Sequence, residues 1–137
     1  MPEKTDLVRS LAGLSLFADL GEADLEAIAD PDLERRFSQG ERVLRRGLSG
    51  AAFYVILDGE AAVKIEGLEP RMLRRGDFFG EVSTLLGARP TADVVASTPL
   101  HCLEIPGPRL EEFLVHYPRV TYRMLQTVTR RLQDVLA

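Results

Sequence analysis

Residues 76–96 read GDFFGEVSTLLGARPTADVVA, and this stretch decides the fold. Gly80 has no Cβ atom, so we expect the backbone there to come close to a ligand. The residues from Glu81 through Leu86 predict a short helix, whose free N–H groups and positive dipole end favour a bound anion. Strand character follows at residues 92–96. The stretch therefore predicts a tight backbone turn, an anion-binding helix start and a strand in close succession.

The surrounding residues 33–105 have the pattern of many short strands. Apolar side chains alternate with polar ones, and turn residues recur at short intervals, which is typical of a β-sandwich or β-barrel. The Asp-Gly pair at 58–59 predicts a type I′ hairpin turn, because it supplies the positive φ angles that this turn requires. On the next strand Ala61, Val63 and Ile65 alternate with more polar neighbours and predict one buried face.

Helical periodicity occupies both ends of the chain. Residues 1–30 predict two or three short helices that end before Pro31, which lacks an N–H donor. Residues 108–137 predict a short helix and then a longer one that begins at Pro118 and runs to the end. The order of helices, strands and helices predicts an α+β fold, with residues 1–137 as a single domain. The first segment places these apolar residues at helical spacing: Leu7, Leu11, Leu14, Phe17, Leu20, Leu25 and Ile28.

The composition limits the cellular setting. Apolar residues make up 45% and charged residues 28%, which are ordinary values for a globular protein. No stretch approaches the roughly 20 apolar residues that cross a bilayer, and the start lacks the apolar core of a secretory signal. We therefore expect a cytoplasmic protein without a membrane partner. The formal net charge of −4 is not the basic field of a non-specific nucleic-acid binder.

The sequence contains no recognisable catalytic or metal-binding pattern. Cys102 is the single cysteine, which excludes an internal disulfide and a cysteine-ligated iron–sulfur cluster within this chain. His101 and His116 are too sparse for the histidine-rich metal site of a β-barrel dioxygenase. No serine or cysteine has the setting of a triad nucleophile. We therefore expect no enzymatic activity, no catalytic residue, no metal ligand and no cofactor.

Several motifs together resemble the cyclic nucleotide-binding domain family, which includes bacterial catabolite-activator regulators and the regulatory subunits of cAMP-dependent protein kinase. Besides residues 76–96, the resemblance includes SLFADLGEADLEAIA at 15–29, GERVLRRG at 40–47, FYVILDGEAAV at 53–63 and the terminal helices. It covers nearly the whole chain. It implies an antiparallel double-stranded β-helix, a jelly-roll-like β-roll over residues 33–105, flanked by helices. Within the roll it implies a phosphate-binding cassette at residues 78–96.

The resemblance also implies the ligand contacts, which are Phe79, Gly80, Glu81, Val82, Ser83, Arg89, Pro90, Thr91 and Ala92. Glu81 matches the position that accepts a hydrogen bond from the ribose 2′-hydroxyl, since a carboxylate is an acceptor-only group. From the residues alone, Glu81 is equally well explained as a helix-start carboxylate stabilised by the dipole. Ser83 is small enough to lie beneath the ligand. Val82, with Leu85 and Leu86, is also expected to belong to the core.

The chain departs from the family pattern at the phosphate. Counted from Glu81, the phosphate-binding arginine of the family falls at Pro90, which offers neither a charge nor an N–H donor. Arg89 lies one residue earlier, and a residue before proline favours extended geometry, so its side chain should point away from the phosphate. Thr91 suits either a hydrogen bond to phosphate or a plain strand position. Asp93 replaces a common threonine and would repel phosphate if it faced the pocket.

Two functions follow from the resemblance. The first is a non-enzymatic sensor that binds a cyclic nucleotide, cAMP or cGMP, or another small phosphate ligand, weakened by Pro90. The second is a degenerate domain that has lost nucleotide binding and serves as a dimerisation or protein-interaction module. A third reading, a β-barrel metalloenzyme, is disfavoured by the sparse histidines.

The terminal helix bears on the partners. Leu125, Val128, Leu132 and Val135 form one stripe along it. In the bacterial regulators of the family, the equivalent helix pairs with its twin, which implies a homodimer. The same stripe would equally suit packing on its own domain. No helix-turn-helix segment follows, and the late basic pair at 130–131 is too small for a DNA-binding surface, so we expect no DNA binding by this chain.

Overall fold

The computed structural model of the protein describes residues 2–45, 47 and 52–136. Its strands form two four-stranded antiparallel sheets, with the orders β1-β8-β3-β6 and β2-β7-β4-β5. The strands are β1 (Glu34–Phe37), β2 (Arg42–Leu44), β3 (Ala52–Asp58), β4 (Ala61–Lys64), β5 (Arg71–Leu73), β6 (Phe78–Phe79), β7 (Asp93–Ala96) and β8 (Leu100–Pro106). The helices are α1 (Pro2–Ala12), α2 (Glu22–Ile28), α3 (Glu81–Leu86), α4 (Gly107–His116) and α5 (Pro118–Leu136).

Successive strands alternate between the two sheets, except for β4 and β5, which pair in the second sheet, and this alternation makes the architecture a β-roll. Central strand β8 pairs with β1, where Glu34 lies opposite Leu103, and with β3, where Tyr54 lies opposite Glu104. In the other sheet, β7 pairs in the same way with β2 and β4. The prediction of an α+β fold with a β-roll between terminal helices is therefore confirmed.

The first sheet separates two apolar cores, because side chains alternate along each strand. On its outer face, Phe53, Val55 and Leu103 pack against the helices. On its inner face, Tyr54, Ile56 and Cys102 pack against the second sheet. The helix-facing core includes these predicted residues: Leu7, Leu11, Leu14, Phe17, Leu25 and Ile28 are buried, and Leu20 packs against them while partly exposed. Helical periodicity thus identified one side of the larger core.

The Asp-Gly pair at 58–59 does not form the predicted hairpin. Strands β3 and β4 belong to different sheets, and Gly59 alone of the pair has a positive φ, +94°, so the type I′ prediction is wrong. Glycine is required there for another reason, since a Cβ atom would lie 2.3 Å from the carbonyl oxygen of Pro99. The pair turns the chain from one sheet to the other beneath a neighbouring turn.

The prediction for the following strand is confirmed in part. Ala61 and Val63 pack in the interior of the roll. Ile65 lies beyond the end of β4 and is 39% exposed, so its predicted place on the buried face is wrong. The strand is too short to bring a third residue of that face into the interior.

Helix α5 divides its apolar residues between two faces. It begins at Pro118, as predicted. Val120, Met124 and Val128 pack into the helix-facing core. The other large apolar side chains are exposed, namely Tyr122, Leu125, Leu132, Val135 and Leu136. The single predicted stripe is therefore two stripes, of which Val128 belongs to the inner one. Among the residues that the structure describes, no helix is both long and apolar enough to span a membrane.

Candidate functional site

Gly80 turns the chain from strand β6 into helix α3. Its φ is +88°, in the left-handed region that a side chain disfavours. A Cβ atom at this position would lie 2.2 Å from the carbonyl oxygen of Ala52 on strand β3. The close approach that requires glycine here is thus an approach to the neighbouring strand, whereas the sequence predicted an approach to a ligand.

The start of α3 is fixed by one carbonyl group. The Gly80 oxygen accepts hydrogen bonds from the Thr84 N–H at 3.2 Å and from the Ser83 hydroxyl at 3.3 Å. The Thr84 hydroxyl also donates to it. Gly80 has no side chain that could cap the helix, so it accepts no side-chain hydrogen bond from the N–H groups of the first turn. Ser83 is 1% exposed and forms the floor of this turn.

Glu81, the candidate ribose acceptor, is buried and paired with an arginine from the far end of the chain. Its side chain is 11% exposed, and Oε2 accepts a hydrogen bond from Nη1 of Arg131 at 3.1 Å. Nη2 of Arg131 donates to the Phe78 carbonyl at 2.7 Å, and the guanidinium lies 4.5 Å from the centre of the Phe78 ring. The carboxylate is thus held by helix α5 as well as by its own helix.

The sequence analysis did not identify Arg131 as a site residue and named it only as half of a basic pair too small to bind DNA. The available signal was helical spacing, since Arg131 follows Val128 by three residues on the inner stripe of α5. Arg130, its neighbour, is exposed, and within the described residues it donates to the Thr127 hydroxyl. What the spacing does not reveal is the partner, fifty positions earlier in the sequence.

The two phenylalanines of β6 face different cores. Phe78 packs beneath the helices, at 5.4 Å between ring centres from Phe53. Phe79 faces the interior of the roll and stacks on Tyr54 at 4.8 Å, with 13° between the ring planes. Burial, followed by the nearby Glu104 carboxylate, raises the pKa of the Tyr54 hydroxyl far above its usual range. Phe79 therefore belongs both to the cassette segment and to the apolar core inside the roll.

Arg89 and Pro90 lie in different environments, one exposed and the other buried. Pro90 is buried, and its carbonyl accepts a hydrogen bond from the Gly47 N–H at 2.8 Å. Arg89 is exposed and forms no ion pair with any of the residues that the structure describes. The inward position in the second half of the cassette thus carries a proline rather than a cation.

The outer side of α3 contradicts one prediction. Val82, Leu85 and Leu86 are 44%, 53% and 74% exposed, so their expected place in the core is wrong. The helix has six residues, and its buried residues are Glu81 and Ser83. Only one side of this short helix packs on the roll. Val82, Leu85 and Leu86 therefore lie on its solvent-facing side.

The remaining cassette residues lie along the approach to β7. Thr91 is exposed and Ala92 is partly buried. Val94 points into the roll interior, so the alternation of the strand places Asp93 on the outer face, opposite Lys64 in the register. Asp93 therefore does not add negative charge to the interior.

Two other features were considered as sites. A cavity of about 280 Å³ lies between α2, β8 and α4, and its lining contains none of the predicted ligand contacts. Within residues 2–45, 47 and 52–136, no group of three or more histidine, cysteine, aspartate or glutamate side chains is arranged to hold a metal ion. The cassette is therefore the site at which the sequence motif and the observed geometry coincide.

Comparisons with known proteins converge on one family description. A family model described as a cyclic nucleotide-binding domain matches residues 34–117. A cGMP-dependent protein kinase from Eimeria tenella is 28% identical over 127 residues, which are 93% of this chain and 13% of the kinase. A cGMP-dependent protein kinase from Toxoplasma gondii is 32% identical over 113 residues, which are 82% of this chain and 11% of the kinase. The chain thus spans a small part of the length of these relatives.

Solved structures share the fold. PKAR CBD2 bound to Sp-2Cl-cAMPS superposes with a TM-score of 0.79 at 17% identity, covering 98% of this chain and 92% of that one. The regulatory subunit of a cAMP-independent protein kinase A from Trypanosoma cruzi, bound to guanosine, gives 0.70 at 24% identity, covering 95% and 50%. At these identities the similarity establishes the architecture.

Proposed function

The chain belongs to the cyclic nucleotide-binding domain family, and on this premise we propose that it is a non-enzymatic regulatory domain that binds cAMP or cGMP. The observation that carries the proposal is the buried Glu81 carboxylate, placed directly after the left-handed Gly80 at a helix start without a side-chain cap. A carboxylate in that position accepts hydrogen bonds from a ribose hydroxyl, while the N–H groups beside it suit phosphate oxygens.

The proposed affinity is low because of the phosphate end of the site. A shielded arginine–phosphate pair with charge-assisted hydrogen bonds contributes on the order of 2–5 kcal/mol. At about 1.4 kcal/mol per tenfold, its lack weakens binding roughly 30-fold to several-thousand-fold. Buried Pro90 supplies no such pair, and exposed Arg89 points elsewhere. The ligand is therefore recognised more through its ribose than through its phosphate.

Titration calorimetry with cAMP and cGMP, continued to millimolar concentration, tests the proposal directly. We expect measurable heat and a matching rise in melting temperature for at least one of the two. Guanosine and adenosine belong in the same experiment, because the similar Trypanosoma cruzi structure is bound to guanosine. Binding of a nucleoside as tight as that of its cyclic phosphate would place recognition entirely at the ribose and base. If none of the four ligands gave a heat of binding or raised the melting temperature, the proposal would be refuted.

A second candidate is a protein-interaction module, because α5 presents an unpartnered apolar face. Tyr122, Leu125, Leu132 and Leu136 are each more than half exposed and recur at helical spacing. Such a face suits a homodimer in which two copies of α5 pair. Analytical ultracentrifugation of the parent and of Leu132→Glu tests this, since a dimer through this face would become a monomer. A parent that remains monomeric at all concentrations argues against the homodimer.

The single cysteine fits a cytoplasmic location, where thiols stay reduced. The kinase activity of the relatives belongs to proteins that are much longer than this chain, and we propose only the regulatory role for it. Any enzyme that the domain regulates would be attached to it or would bind it.

A further inference from the structure

The cavity of about 280 Å³ between α2, β8 and α4 has an apolar interior. Ile28 of α2 and both Leu103 and Ile105 of β8 line it, and each is at most 5% exposed. The rings of Phe113 and Tyr117, 5.1 Å apart between their centres, line it from the end of α4. Its volume lies just below the roughly 300–1,000 Å³ of typical ligand sites. The cavity therefore suits a small organic molecule with an apolar body.

The Tyr117 hydroxyl is a polar group without a partner in this apolar setting. Tyr117 is 8% exposed, and among the described residues its hydroxyl neither donates nor accepts a hydrogen bond. A sealed hydroxyl of this kind would be an unsatisfied buried group, and the described part of the chain has none. The hydroxyl is therefore open to the cavity that its ring lines. Burial, followed by the Asp24 carboxylate, raises the pKa of this hydroxyl, so it stays protonated and offers both a donor and an acceptor.

The charges around the cavity favour a cation. Residues 19–34, which form one side of it, contain seven acidic residues and no lysine, arginine or histidine. Two of the seven are ion-paired elsewhere, whereas the five within residues 22–32 form no ion pair in the described part of the chain. In the lining itself, the carboxylates of Asp30 and Glu112 outnumber the single guanidinium, which belongs to Arg109. The lining and the surrounding field are therefore both negative while histidine is neutral.

We propose that this cavity binds a small organic cation, an ammonium group carried on a short aryl or alkyl body. The body packs on the apolar walls, and the ammonium group lies at the mouth between the carboxylates of Asp30 and Glu112. Oδ1 of Asp30 accepts the Asp32 N–H at 2.9 Å, which leaves Oδ2 for the ligand. The Tyr117 hydroxyl oxygen accepts a hydrogen bond from the ammonium group, and the aromatic faces attract its charge. The site is separate from the cassette, so the inference holds whether or not the chain binds a nucleotide.

Three ligands that share a phenyl ring and a two-carbon chain test the charge preference, namely phenethylammonium, neutral 2-phenylethanol and 3-phenylpropionate. In NMR titrations of the full, isotopically labelled chain, we expect amide shifts at residues 27–33, 103–105 and 109–117 that saturate at millimolar ligand. The ammonium ligand should bind about threefold more tightly than the alcohol, and the carboxylate more weakly than both. Tightest binding by the carboxylate, or equal binding by all three, would overturn the cation assignment. No shift at these residues with any of the three would overturn the site itself.

Paired variants test the groups that recognise the cation. Tyr117→Phe should weaken phenethylammonium binding about threefold to tenfold without lowering the melting temperature, since the hydroxyl has no partner to lose, and exposed Tyr122→Phe is its control. Glu112→Gln should weaken binding about threefold, whereas Glu111→Gln, outside the lining, should not. Arg109→Gln removes the opposing charge and should tighten binding by a similar factor. Equal losses in the two glutamate variants, or weaker binding in Arg109→Gln, would contradict recognition of a cation at this mouth.

Discussion

Replacing Pro90 with arginine should turn a weak site into a strong one. Pro90 is buried at the position where the resemblance to the family implies the phosphate-binding arginine. Its carbonyl accepts from the Gly47 N–H, and this backbone contact survives the substitution. The substitution thus keeps the backbone hydrogen bond between position 90 and the turn at Gly47. Loss of the proline ring should cost about 0.4–1 kcal/mol of folding stability through the unfolded state.

The expected gain comes from a bidentate arginine–phosphate pair of about 2–5 kcal/mol, or roughly 30-fold to several-thousand-fold in affinity. We expect the lower part of that range, because the first turn of α3 is only partly shielded from water and its outer residue Val82 is 44% exposed. Asp93 faces away from the interior and should not compete for the new guanidinium. The gain should be larger for a cyclic nucleotide than for the corresponding nucleoside.

Titration calorimetry at two salt concentrations measures the effect, with the parent, Pro90→Arg and Arg89→Gln side by side. Arg89→Gln is the control, since its side chain is exposed and should leave the affinity unchanged. The double variant that exchanges the residues at 89 and 90 restores the Pro-Arg order and should bind at least as tightly as Pro90→Arg. If Pro90→Arg gained nothing and Arg89→Gln lost binding, Arg89 would already serve the phosphate and our account of its direction would be refuted.

Three further predictions concern the fold around the site. Gly80→Ala should lower the free energy of unfolding, measured in urea, by several kcal/mol or prevent folding, because it combines a left-handed φ with a clash against a backbone carbonyl. Gly87→Ala is the control. Its φ is +64° and the space around it is open, so the free energy of unfolding should fall by only about 1 kcal/mol. Burial raises the pKa of the Cys102 thiol from 9.0 to about 12. Above pH 9 the thiol therefore ionises in the unfolded state but not in the folded state. The free energy of unfolding should fall with rising pH by at most about 1.4 kcal/mol per pH unit, and less steeply in Cys102→Ala. Leu86→Gln should change the free energy of unfolding by less than about 0.5 kcal/mol, against a loss of about 2–5 kcal/mol for buried Leu103→Ala; equal losses would contradict the observed exposure.

Local signals in the sequence predicted much of this fold. Helical spacing identified the buried face of the first helices, including Leu11 and Phe17. Pro118 marked the start of α5. Gly80 marked a position of close backbone approach, although the contact is with strand β3 rather than with the predicted ligand. Each of these features depends on residues within a few positions of one another, which is the range over which periodicity and turn chemistry act.

The features that sequence reasoning missed depend on distant partners. The Asp-Gly pair at 58–59 has hairpin chemistry, but the strands beside it pair with others far along the chain. The exposure of Leu85 and Leu86 depends on which side of a six-residue helix meets the roll. Arg131 reads as a surface cation until its contact with Glu81 is known. No local pattern carries such information.

The pairing of early strands with late ones also governs how the protein can be made. Strand β1 needs β8 as its partner, and β2 needs β7. The second sheet is therefore incomplete until residue 96 has been synthesised, and the first until residue 106. A ribosome that has made only the first half of the chain displays strands with unpaired edges, which are prone to aggregation. Half-length fragments should therefore be insoluble separately and should regain structure only when both halves are refolded together.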